Sequence, residues 1–153
     1  MTPDGIRDED WDRVDELAVQ IANAGEGKEG EKLTVELLAY LDRLEEKYGV
    51  LPSIVATRAD YVTEPSESLA LLERAYELAR ERRDHKNMVY VASSLASLQI
   101  EHFRNTEEGQ TWLNAFREAL KYAGDEAAIR EHEELTQALH KLRHAQRRAR
   151  GHT

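Results

Sequence analysis

The chain has 153 residues, of which 41% are hydrophobic and 33% are charged, and its formal net charge at pH 7 is −9. This length allows one domain with its own core, and the negative charge argues against a protein whose whole surface binds nucleic acid or anionic lipid. The absence of cysteine excludes disulfides, thiolate catalysis and cysteine-ligated metal sites.

The N-terminal sequence MTPDGIRDEDW has neither the basic nor the apolar region of a secretory signal peptide. No apolar run approaches the ~20 residues that a membrane-spanning helix needs. We therefore expect a cytoplasmic protein that does not associate with membranes.

The first part of the chain predicts a helical hairpin over residues 8–48. Residues 1–7 contain Pro3 and Gly5, which disfavour helix, so we expect this segment to be flexible. Two amphipathic stripes follow, separated by the glycines of NAGEG. The stripes are Trp11, Val14, Leu17, Ala18 and Ile21 in the first helix, and Leu33, Leu37, Leu41, Leu44 and Tyr48 in the second.

The next part predicts a second hairpin over residues 50–83. Pro52 suits the first turn of its first helix, where a missing N–H costs nothing, and Pro65 begins its second helix. The short TEP link between them favours an antiparallel arrangement.

Residues 85–124 predict a third hairpin, with Asp84 as a helix cap. Its first helix contains VYVASSLASLQI, which is apolar or small on nearly every side and is therefore expected to lie between neighbouring helices. A terminal helix over 125–148 and a loose tail over 149–153 complete the chain. Because no alternating strand pattern appears, we predict an all-α fold of about seven helices.

A repeated phrase links the even-numbered helices. Leu72-x-x-Ala75-x-x-x-Ala79 matches Phe116-x-x-Ala119-x-x-x-Ala123 and, more loosely, Leu41-x-x-Leu44-x-x-x-Tyr48. The spacing between these phrases brackets the ~34 residues of a tetratricopeptide repeat. The small residues would let the second helix of one hairpin approach the next hairpin closely.

On these phrases, the chain resembles the tetratricopeptide repeat family, most clearly over residues 50–139. The resemblance implies a single helical-repeat domain over 1–153, in which antiparallel hairpins stack as a short right-handed superhelix. An unrelated antiparallel helical array is the alternative.

The resemblance also implies a function, namely a non-catalytic scaffold that binds a protein or peptide on its concave face. That face would be lined by Ser53, Thr57, Asp60, Tyr61, Ser93, Ser97 and Glu101. Alternatively, the serines serve only to allow close helix packing. Self-association is a further possibility, because the end faces of a short array carry apolar residues such as Trp11 and Leu142.

No catalytic motif is found, and we expect neither enzymatic activity nor a cofactor nor a bound metal. His140 and His144 are four residues apart, a spacing that can chelate a metal, but they lie in a basic segment and lack a carboxylate partner at motif spacing. We interpret them as exposed side chains. His132 falls on the apolar line of its helix and is predicted to be packed and hydrogen-bonded.

The C-terminal segment KLRHAQRRARGHT is basic. Its cations are Lys141, Arg143, Arg147, Arg148 and Arg150. One hypothesis is a helical regulatory domain that contacts nucleic acid through this tail, with salt-sensitive binding. The favoured one is that the charges complement the helix dipole and solubilise the end of the array. Nucleic acid is therefore not the partner we expect.

Overall fold

The computed structural model describes residues 1–151, and those residues contain helices and no strand. The helices are α1 (Asp8–Ala24), α2 (Lys28–Tyr48), α3 (Pro52–Tyr61), α4 (Pro65–Glu81), α5 (His85–Ser97), α6 (Thr106–Ala123) and α7 (Glu126–Gly151). A π-helical segment, Leu98–His102, follows α5 directly. The predicted all-α class with about seven helices is thus confirmed.

The contacts divide the chain into two compact units. Unit 1 is Met1–Leu78, and unit 2 starts at Ala79. In unit 1, α1 packs against α2, and α2 against α3. In unit 2, α5 packs against α6 and α7, and α6 against α7. The grouping of all helices into one repeat domain stays a prediction.

The core of unit 1 is formed by the predicted apolar stripes together with residues outside them. Its buried side chains are Ile6, Val14, Leu17, Leu37, Leu41, Leu44, Leu51 and Ile54. Trp11, Ile21 and Leu33 are partly buried and pack against this cluster. Periodic leucines therefore place α2 on α1 through one continuous apolar face.

The segment 1–7, which the sequence predicts to be flexible, makes hydrogen bonds and buries one side chain; its flexibility stays a prediction. Ile6 is fully buried, and Thr2 N–H donates to the Ile6 carbonyl at 2.9 Å. The Asp4 carboxylate accepts hydrogen bonds from the Ser53 N–H at 2.7 Å and the Ser53 hydroxyl at 2.9 Å. Gly5, with φ +101°, supplies the left-handed conformation of this turn. The residues that disfavour helix here build a hydrogen-bonded turn.

A polar cluster joins α1 to the end of α2 around Asp10. The Lys47 ammonium donates to the Asp10 carboxylate at 2.8 Å, and the Tyr48 hydroxyl also donates to it. The Tyr40 hydroxyl donates to the Asp10 carbonyl at 2.8 Å. The hydrogen bonds from Lys47 and then Tyr48 lower the pKa of Asp10 below its ordinary 3.8.

This lowered pKa predicts a pH-dependent contribution to stability. The folded state binds its proton less tightly than the unfolded state, so the contribution is present above pH ~4 and is lost as the pH falls through the folded pKa. We expect Asp10→Asn to unfold at a lower temperature than wild type at neutral pH, and the difference to shrink below pH ~4. Thermal unfolding followed by circular dichroism from pH 7 to pH 3 measures it; a constant difference across that range would contradict it.

In unit 2, α5 lies between its neighbours, as its apolar composition predicts. Val91, Ala92, Leu95 and Ala96 are fully buried, and the helix contacts both α6 and α7. The widened turn of the π-helical segment follows, and the Asn105 N–H donates to the Gln99 carbonyl at 2.9 Å. Gly109 of α6 packs closely on this segment, since a Cβ there would lie 2.7 Å from Ile100 Cγ1.

The repeated phrase lies in the core, as its small residues suggest. Leu72, Ala75 and Ala79 of α4 are buried, and so are Phe116 and Ala119 of α6. The looser match in α2 also buries Leu41 and Leu44. These positions therefore build the framework of the protein.

The C-terminal helix is longer than the sequence predicts. The expected loose tail begins at 149, yet α7 continues to Gly151, so residues 149–151 are helical; residues 152 and 153 lie outside the described part of the chain. Three leucines of α7 are buried where it packs against the other helices of unit 2: Leu135, Leu139 and Leu142. Among residues 1–151, no helix combines the length and the apolar composition that a membrane span requires.

Candidate binding clefts

A cleft of about 800 Å³ opens in unit 1 where the end of α1, the first half of α2 and the end of α3 meet. Its apolar wall consists of Ile21, Val35, Leu38, Tyr61 and Val62. Its carboxylates are Glu26, Glu31, Asp60 and Glu67, and Gly25, Gly27, Gly30, Thr34 and Thr63 complete it. We call this site the acidic cleft.

The acidic cleft is electrostatically one-sided. Its lining, all within residues 21–67, includes four carboxylates and no Lys or Arg. The surrounding unit has the same sign: residues 1–78 contain 19 Asp and Glu against 8 Lys and Arg, a formal charge of −11. The chain from residue 79 onward has 11 acids against 13 bases, a formal charge of +2. A cationic ligand would therefore be attracted to unit 1 before contact.

Val35 is the most exposed residue of the apolar wall. This side chain is 68% exposed, although α2 already buries a complete stripe of leucines on another face. Val62 and Tyr61 at the end of α3 are only partly buried and line the same cleft. Burial raises the pKa of Tyr61, and the nearby Asp60 carboxylate raises it further, so its hydroxyl stays protonated at neutral pH.

The rim of the cleft is shaped by the glycines of the α1–α2 turn. Gly25 has φ +67°, a left-handed conformation that side chains disfavour. A Cβ on Gly30, in the first turn of α2, would lie 2.5 Å from the Gly25 carbonyl oxygen. The turn therefore lies close against the start of α2, and Glu26 of the turn and Glu31 of α2 both line the cleft.

The residues that the resemblance nominates on α3 separate into different environments. Asp60 and Tyr61 line the acidic cleft. Ser53 is buried, and both its N–H and its hydroxyl are hydrogen-bonded to Asp4 of the N-terminal turn. Thr57 is partly buried and is not part of the cleft lining.

The residues nominated on and after α5 belong to unit 2. A second cleft, of about 500 Å³, lies between α5 and the start of α7 and includes Ser93. The Ser93 hydroxyl is buried and donates to the Glu131 carboxylate of α7 at 2.5 Å. Ser97 is partly buried, and Glu101 is exposed within the π-helical segment, where the regular register that nominates it has ended. Ligand binding by these residues stays a prediction.

The basic residues near the C-terminus lie on α7, and we call Lys141, Arg143, Arg147, Arg148 and Arg150 together the basic end of α7. All are exposed except Arg143, which is partly buried. The Gln146 side chain donates to the Arg104 carbonyl at 3.0 Å, which brings Arg104 from the α5–α6 turn beside this helix. Sequence analysis misses Arg104 because nearly 40 residues separate it from the tail.

The three histidines of α7 differ in their surroundings. His132 donates from Nε2 to the Leu113 carbonyl at 3.0 Å, and its ring lies edge-on to Phe116 with 5.1 Å between centroids. The predicted packed, hydrogen-bonded histidine is confirmed. His140 and His144 are exposed, and among the described residues no group of three or more His, Cys, Asp or Glu is placed to hold a metal ion.

Sequence analysis assigns none of the other residues of the acidic cleft to a binding site. Val35 lies outside the predicted stripe of α2, and Gly25 and Gly27 are read as the break between two helices. The sequence does contain a signal for Val35. Once the leucine stripe of α2 fills the buried face, an additional apolar residue outside that stripe is expected to lie on the surface. Comparisons with protein-family models, with curated proteins and with solved structures give no match for this chain. The tetratricopeptide resemblance therefore rests on the repeated phrase.

Proposed function

We propose that the chain is a non-catalytic, tetratricopeptide-like module that binds a protein or peptide, and that its binding site is the acidic cleft. The observation that carries the proposal is the apolar wall with exposed Val35 and partly buried Tyr61, bordered by four carboxylates and, among the lining residues 21–67, by no Lys or Arg. The ligand it fits is a segment that combines apolar side chains with Lys or Arg.

The apolar wall would supply affinity, and the carboxylates would supply selectivity. Covering apolar surface contributes roughly 25 cal/mol per Å² before the costs of association, so several exposed side chains together are needed. Carboxylates around such a surface favour cationic partners and repel anionic ones. An amphipathic helix with a basic face, laid into a groove, has both features.

A matched peptide pair tests the proposal. The probe is a fluorescein-labelled amphipathic helical peptide of leucine and lysine, and its control replaces each lysine with glutamate. We expect binding of the lysine peptide alone. Val35→Asp should weaken it at least about tenfold, or ~1.4 kcal/mol, because it places a charge on the apolar wall. Fluorescence anisotropy measures both affinities.

Val19→Asp is the control variant. Val19 is also an exposed valine of unit 1, at 59%, and lies beside Asp12, Asp15 and Glu16 of α1, outside the acidic cleft. The same substitution there should leave peptide affinity unchanged, whereas Asp60→Arg should weaken it. Equal binding of both peptides, or equal effects of Val19→Asp and Val35→Asp, would contradict the proposed site.

A further inference from the structure

The basic end of α7 has more positive charge than the helix needs. Residues 141–150 contain five Lys and Arg and no acid. Cations in a last turn stabilise a helix terminus, but this effect falls off within one turn. Arg148 and Arg150 fit that role, whereas Lys141 and Arg143 lie two turns or more from the end at Gly151. The dipole therefore explains only part of the cluster.

Four of these cations, Lys141, Arg143, Arg147 and Arg148, are not used in ion pairs inside the described part of the chain. None of the four is within ion-pair distance of a carboxylate among residues 1–151. Buried Leu139 and Leu142 anchor α7 in unit 2, and the cations follow on the same helix. Four cations without an ion-pair partner on one packed helix are suited to contact an anionic surface.

The spacing of the side chains gives this surface a defined shape. Arg143, Arg147 and Arg150 follow one another at intervals of four and three, so they lie along one face of the helix. Ala145 and Ala149 are exposed on the same stretch and add little bulk. Arginine has an apolar stem and a flat guanidinium group that stacks on aromatic rings and binds carboxylates bidentately.

The acidic cleft offers the complementary groups. The apolar stems of arginine side chains can pack on Tyr61 and Val35. The carboxylates of Glu31 and Asp60 can accept hydrogen bonds from guanidinium groups. We propose that the occupant of the acidic cleft is the basic end of α7 of a second copy of this chain. This inference rests on the proposed function of the cleft, and it names the partner.

The contact has a consequence for assembly. The two surfaces are different, one in unit 1 with a formal charge of −11 and one on a helix end with five cations. A contact between different patches is heterologous, so each molecule keeps one cleft and one basic end for further copies. The association is thus expected to grow with concentration and to weaken with salt.

Sedimentation velocity of the full-length protein tests this assembly. We expect larger species as the concentration rises at about 50 mM NaCl, and an apparent affinity at least about tenfold lower at about 500 mM, because salt screens exposed charges. The double variant Arg143→Glu/Arg147→Glu and the single variant Val35→Asp should each be monomeric. The control Arg82→Glu/Arg117→Glu removes two exposed arginines elsewhere in unit 2 and should associate like wild type.

Mixing the two monomeric variants is the decisive step. Val35→Asp retains its basic end, and Arg143→Glu/Arg147→Glu retains its cleft, so the mixture should form a one-to-one complex. A wild type that stays monomeric at low salt, while the lysine peptide still binds in a Val35-dependent manner, would overturn this inference and leave the proposed function intact. Self-association that Val35→Asp does not change would also overturn it. A protein that stays monomeric and binds a single-stranded oligonucleotide through Arg143 and Arg147 would likewise overturn the inference.

Discussion

Replacing Phe116 with alanine is expected to lower the free energy of unfolding by about 3–5 kcal/mol. Phe116 is fully buried on α6, and its ring contacts the His132 ring of α7. Its removal would leave a cavity where α6 and α7 meet, and the lost apolar burial and lost contacts would add. Urea denaturation followed by far-UV circular dichroism measures the change.

The only other phenylalanine of the chain is a matched control. Phe103 is 38% exposed and packs edge-on against His102 next to it. Phe103→Ala removes the same atoms from a site that water already reaches, so we expect a cost below about 1 kcal/mol. Similar losses for the two variants would mean that Phe116 is not a core residue.

Phe116 also shows why much of the framework can be predicted from the sequence. It occupies the large position of the repeated phrase, and Ala119 occupies a small one; both are buried. A helix must cover one stripe of side chains, so a 3.6-residue period of apolar residues marks the buried face with no knowledge of the neighbours. His132 follows the same logic, since it sits on such a stripe and is packed there.

The acidic cleft is only partly predictable from the sequence, because its residues come from several helices. Asp60 and Tyr61 are nominated by the tetratricopeptide resemblance and do line the cleft. Glu31 and Val35 come from another helix, some 25 residues earlier, and only the packing of α2 with α3 brings them to the same cleft. A one-dimensional pattern shows which face a helix buries, but it does not show which exposed faces adjoin.

The π-helical segment marks another limit. Carrying the register of the tetratricopeptide resemblance through Ser93 and Ser97 to Glu101 assumes an unbroken helix, and the turn widens at Leu98. The sequence LQIEH contains no proline or glycine that would signal the change. Gly109 of α6 approaches Ile100 of this segment closely, and a local sequence pattern does not show such a tertiary contact.

Replacing Ile6 with alanine is expected to lower the free energy of unfolding by about 2–5 kcal/mol. Ile6 is fully buried and belongs to the same cluster as Leu17, Leu41 and Ile54. The turn around it is closed by its own hydrogen bonds and tied to Ser53 through Asp4, so it cannot collapse freely into the space left. Denaturant unfolding of the Ile6→Ala and Ile129→Ala variants measures the free energy lost in each.

Ile129 supplies the same substitution at a site that is 48% exposed, where the cost should stay below about 1 kcal/mol. Asp4→Ala tests the anchor separately, because it removes the carboxylate to which the Ser53 N–H and hydroxyl donate while keeping Ile6. If the turn is part of the core, both Ile6→Ala and Asp4→Ala destabilise unit 1. If Ile6→Ala has the stability of wild type, the first seven residues do not contribute to the core, as the sequence prediction of a flexible terminus implies. Loss in Ile6→Ala alone would show that the apolar side chain, and not the hydrogen bonds to Asp4, holds the first seven residues in place.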